Sequence, residues 1–113
     1  MAAIAYTVDS GLGWRSYTWS NVTEADTFVA AEVGGQTDRS VQATGTFGGA
    51  TLLIQGSNDG TTYVTLTDPQ GNAISKTANA LEQIEEGTRY IQPSHSGGGS
   101  ESIKVIIFVV RKP

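Results

Sequence analysis

A chain of 113 residues suits one domain with one modest core. It has no cysteine, which excludes disulfides and thiolate metal sites, and its net charge is −4. Its seven Lys and Arg are scattered without a basic stripe, which argues against nucleic-acid binding and against an anionic membrane surface. Only 16% of the residues are charged, below the usual ~25%. A surface rich in Thr, Ser, Asn and Gln desolvates readily and suits packing against partners.

The N-terminal stretch MAAIAYTVDSG has no basic segment and no long apolar run, so it does not read as a signal peptide. Residues 1–13 read as an N-terminal arm or a first strand, and residues 14–113 as a single domain. Ile4, Tyr6 and Val8 alternate onto one face. An arm would add to the open edge of a neighbour, whereas a strand would belong to the chain's own sheet. Residues 14–19 (WRSYTW) alternate as a strand, with Trp14, Ser16 and Thr18 on one face and Arg15, Tyr17 and Trp19 on the other. Trp14, Tyr17 and Trp19 have three readings: core packing, a protein interface, or stacking on sugar rings.

Residues 20–26 are polar and turn-like, and 27–33 suit a strand or a short helix capped by Ser20 or Thr23. Residues 34–38 read as a loop. Residues 39–46 alternate, with Val41, Ala43 and Gly45 inward, and Phe47 anchors the next turn. Residues 50–56 and 61–66 read as a hairpin around Ser57-Asn58-Asp59-Gly60, where a tight turn needs residues that tolerate φ > 0. A turn follows at Pro69 and Gly71. Residues 73–76 suit a short edge strand, and 78–86 one helical turn or a strand. Residues 88–92 read as a strand stopped by Pro93, and 94–100 (SHSGGGS) as a flexible loop. The strongest strand is 103–111, apolar on both faces from Val105 to Val110, which predicts a central strand covered on both sides, by a second layer or by a neighbouring subunit.

Short strands at regular spacing with turn signals between them predict an all-β fold. The expectation is a two-sheet antiparallel β-sandwich of seven or eight short strands, with at most one helical turn.

Little of the chain suits catalysis, and neither a cofactor nor a metal is expected. The single histidine, His95, lies between serines in a glycine-rich stretch and reads as a solvated loop residue. Glu82, Glu85 and Glu86 read as a charged exposed face. Asn58-Asp59-Gly60 lacks the further oxygen ligands and terminal Glu of a calcium loop.

The stretches Thr46-Phe47-Gly48-Gly49-Ala50-Thr51, Gln55-Gly56-Ser57-Asn58-Asp59-Gly60, Leu66-Thr67-Asp68-Pro69-Gln70-Gly71-Asn72-Ala73 and Glu85-Glu86-Gly87-Thr88-Arg89-Tyr90-Ile91-Gln92-Pro93 span about half the chain. Together they resemble small virion structural proteins of tailed bacteriophages, of the head decoration (cement) type. The resemblance implies an inert protein made in the host cytoplasm and carried on the capsid surface of the virion. It implies the major capsid protein as partner and self-association as a homotrimer. Ile4, Tyr6, Val8, Trp14, Tyr17 and Trp19 are then the candidate interface residues. A tail or neck position is the first alternative. The hairpin GSNDGTTYVTL also resembles a turn in discoidin-type carbohydrate-binding sandwiches, which makes a glycan the second.

Overall fold

In a computed structural model, which describes residues 3–33 and 38–110, the chain is all-β. Its strands are β1 (Ala3–Ile4), β2 (Thr7–Gly11), β3 (Trp14–Thr23), β4 (Thr27–Phe28), β5 (Ala31–Glu32) and β6 (Asp38–Thr46). They continue as β7 (Ala50–Ser57), β8 (Val64–Thr65), β9 (Ser75–Lys76), β10 (Ala80–Ile84), β11 (Tyr90–Gly97) and β12 (Ser102–Val110). Seven of these twelve have five or more residues, matching the expected number of strands, and the other five are two-residue pieces.

Two antiparallel sheets face each other. One runs β10-β6-β12-β3-β2, and the other β5-β11-β7-β8 with β9 also on β7. β1 pairs in parallel with β4. The inward residues form one core that includes Trp19, Phe28, Leu52, Ile54, Ile91, Ile103 and Ile107. Strand alternation explains it: Val41 and Ala43 on β6, Leu52 and Ile54 on β7, and Val105, Ile107 and Val109 on β12 all point inward.

Several local expectations change. No helix occurs among the described residues, and both segments with a helical alternative form strands, β4 with β5 and β10. β3 does not stop at Trp19. Asn21 takes φ 56°, which Asn tolerates, and the β3–β12 register shifts between Ile103 and Val105. That bulge absorbs the polar residues that had suggested a turn. The chain turns at Glu24 and Ala25, closed by Asp26, whose carboxylate accepts from the N–H and the hydroxyl of Thr23 at 3.0 and 2.8 Å.

β11 likewise runs through Pro93. Its ladder with β5 covers only Tyr90 and Ile91, so at Pro93 one flank has no partner strand and needs no N–H donor. The expected tight hairpin is wider, with six residues (58–63) between β7 and β8. Asp59 organises that loop, accepting from the N–H groups of Thr61 and Thr62 and from the Ser57 hydroxyl at 2.8–2.9 Å. Gly60 there takes φ 79°. Gly45 is exposed rather than inward. Asp38 begins β6, while the rest of the expected 34–38 loop, and Arg111, lie outside the described residues.

Candidate interaction surface

The six aromatic and aliphatic candidates separate into core and surface. Trp19 is fully buried and Tyr17 nearly so, which takes both off the accessible surface and gives them core packing. Trp19 donates its indole N–H to the Val29 carbonyl, and the Tyr17 hydroxyl donates to the Glu32 carbonyl. Tyr6 is half-buried and lies edge-on to both, with ring centroids 5.3 Å from Tyr17 and 5.5 Å from Trp19. Ile4 also packs against the core. β1 and β2 pair with β4 and β3 of the same chain. Val8 is 53% exposed at the sheet margin.

Trp14 points the other way, onto the outer face of the β10-β6-β12-β3-β2 sheet. There its ring leans on Phe108, centroids 5.9 Å apart at 32°. β12 is central, as its sequence predicts, but it is not covered on both sides. Its inward residues are buried, whereas Phe108 is 39% exposed and Ile106 and Val110 are half-buried on the outer face. This correction creates the surface. The apolar run served two faces, and the fold supplies a second layer for only one.

Register defines the rest of that face. Ile106 lies between Thr18 and Gln42, Phe108 between Ser16 and Ser40, and Val110 between Trp14 and Asp38. Leu81, exposed, and Gln83 extend it along β10. An apolar centre is thus flanked by small uncharged polar side chains. Asp9, Asp38 and Lys104 sit at the margins of the described face. A shallow groove of about 280 Å³ runs along it, lined by Asp38, Arg39, Ser40, Gln83, Phe108 and Val110. Sequence reasoning missed Phe108 and Leu81 here. The signal was present in the even-numbered half of the apolar run, Ile106, Phe108 and Val110.

Elsewhere the acidic candidates disperse. Glu82 pairs with Lys76 at 2.7 Å, and Glu86 accepts from the Thr67 N–H at 2.8 Å. Among the described residues no group of three or more metal-ligating side chains occurs. No helix there is long and apolar enough to cross a membrane. His95 is not a solvated loop residue: it lies within β11, with its side chain 4% exposed and set against Glu101.

No family model matches the chain, and no curated protein matches it. Among solved structures, the SPBc2 prophage-derived protein YomS superposes with a TM-score of 0.65 at 11% identity, covering 92% of this chain and 98% of YomS. That likeness shows a shared fold along nearly the whole of both chains. Protein NMB1881 from Neisseria meningitidis covers 96% of this chain and 84% of its own at 5% identity, with a TM-score of 0.45, too low to carry an argument.

Proposed function

We propose that the chain is a structural component of a tailed-bacteriophage particle that attaches through the outer face of its β10-β6-β12-β3-β2 sheet. The observation that carries this is the apolar centre of that face, Trp14, Ile106, Phe108 and Val110, left without a second layer. An apolar core with a polar rim is the usual anatomy of a protein interface. The resemblance of the central segment to virion proteins supports the phage assignment, as does the fold shared with a prophage-derived protein.

At the finer level the chain is read as a head decoration protein that binds the major capsid protein on the virion surface, as a homotrimer. Three linked copies turn modest contacts into firm attachment through effective concentration. Bridging neighbouring capsid subunits would then oppose the pressure of packaged DNA.

Reconstruction of purified particles tests both levels. Hundreds of copies on the head support decoration, and a few to a dozen at the neck or tail support the other virion position. Absence from particles overturns the reading. Phe108→Ser is expected to leave the fold intact and reduce particle occupancy; undiminished occupancy would remove this face as the attachment surface.

A carbohydrate-binding role is the second reading, favoured by the Trp14–Phe108 pair beside Ser40 and Gln83, since ring faces and uncharged hydrogen-bonding groups suit sugars. Saturable binding on a glycan array, lost in Trp14→Ala, would establish it, and no binding to any glycan would remove it.

A further inference from the structure

Two chain segments far apart in sequence, residues 26–28 and 95–101, meet at the only histidine. The His95 side chain is 4% exposed and that of Glu101 is fully buried. Nδ1 lies 2.8 Å from Glu101 Oε2, and Nε2 lies 2.7 Å from the main-chain carbonyl oxygen of Asp26. The edge of the Phe28 ring arrangement fixes the imidazole, with centroids 5.6 Å apart at 88°. A carbonyl oxygen only accepts, so Nε2 carries a proton. The contact between Nδ1 and the carboxylate oxygen requires a second proton between them. The pair therefore holds one proton more than a neutral imidazole beside a carboxylate.

We propose that His95, Glu101 and the Asp26 carbonyl form a proton-operated latch. It ties residues 96–101 to the turn before β4 at one end of the sandwich, and it opens when alkali removes the second proton.

The surroundings are built closely around the carboxylate. Gly98 takes φ 68°, and a Cβ there would fall 2.9 Å from Glu101 Oε1 and 2.8 Å from the Ala50 nitrogen. Glu101 is held below the usual carboxylate range chiefly by its own N–H, against the opposing effect of burial, with His95 adding to the lowering. Among the described residues, the other charged groups on the adjoining elements are Asp26, whose carboxylate bonds Thr23, and the exposed Glu24. β7 presents Ala50 and Leu52 to this end, β4 presents Phe28, and the preceding turn presents Gly48, none of which titrates. A cavity of about 130 Å³, lined by Phe28 and Pro93 as well as by Asp26, Thr27, Gln55, Gln92, Ser94 and His95, borders the ring and gives water and protons a route to it without unfolding.

The direction of the pH effect follows from proton counting. In an unfolded chain an imidazole releases its second proton around pH ~6.5. The closed latch needs that proton between Nδ1 and Glu101, whereas nothing in an unfolded chain depends on it, so alkali that removes it weakens the fold. Toward acid, the lowered Glu101 contributes stability that is present above the unfolded carboxylate range and lost as pH falls through its folded value. The latch is firmest in mildly acidic solution.

The test uses the full chain, whose single histidine gives one set of ring signals. Ring 15N shifts, the amide signals of Thr27 and of residues 97–99, and the thermal midpoint are followed from mildly acidic to alkaline pH. Protons on both ring nitrogens in acid, a single transition shared by ring and amides, and a midpoint falling by several degrees are expected. His95→Gln should flatten that alkaline decline. Ring titration with the amide signals unmoved, or an unchanged decline in His95→Gln, would overturn the latch. If the variant does not fold, the ring and amide titration of the unaltered chain decides alone.

Discussion

The indole N–H of Trp19 on β3 donates to the main-chain carbonyl of Val29 at 3.0 Å. Val29 lies between β4 and β5, so this bond fastens the core of one sheet to the edge of the other. Trp19→Phe keeps most of the apolar volume but strands the carbonyl. It is expected to cost about 1–3 kcal/mol in urea unfolding. Trp19→Ala, which also leaves a cavity, is expected to cost about 3–5 kcal/mol.

Asp59 carries a pH signature of its own. The N–H groups of Thr62 and Thr61, in that order, and the Ser57 hydroxyl lower its carboxyl to about 2. A depressed carboxylate contributes stability that is present above its unfolded value, about 3.9, and lost as pH falls through its folded value. The loss is therefore expected between about pH 4 and pH 2. Carboxyl 13C shifts should show the low titration, and Asp59→Ala should reduce the acid dependence of the thermal midpoint.

Gly45 on β6 pairs with Ile103 of β12 and takes φ 120°, and a Cβ there would lie 2.3 Å from the Ser102 carbonyl oxygen. Neither problem is relieved by side-chain motion, because the obstacle is backbone. Gly45→Ala is expected to destabilise the fold by at least about 2 kcal/mol, read as a shifted urea midpoint.

Deleting residues 1–10 removes β1, nearly all of β2, and the Tyr6 ring that lies against Tyr17 and Trp19. The truncated chain is expected to lose cooperative thermal unfolding. Normal folding with loss of particle binding would instead mean that the segment docks on a neighbour.

The sandwich was legible because alternation survives wherever one face of a strand is buried: Leu52, Ile54, Val41 and Ala43 all point where their spacing places them. His95 was not legible. Its flanking serines and glycines describe a loop, while Glu101 reaches it only because residues 96–101 fold back, and the Asp26 carbonyl arrives from a distant segment. The open outer face of β12 was half legible. Periodicity marks Val105–Val110 as apolar on both sides, but only the count of layers reveals which side the fold leaves open. Tyr17 and Trp19 illustrate the complementary limit, since alternation groups them without saying whether their face looks inward.

The position of β12 also governs when the fold can appear during synthesis. It lies between β6 and β3, so the larger sheet has a gap at its centre until residues 102–110 have been added. A nascent chain ending before Ser102 would carry two separated strand groups with bare edges, a state prone to mispairing. The domain therefore assembles late and through non-local pairings, so its folding belongs to the slow, β-rich regime.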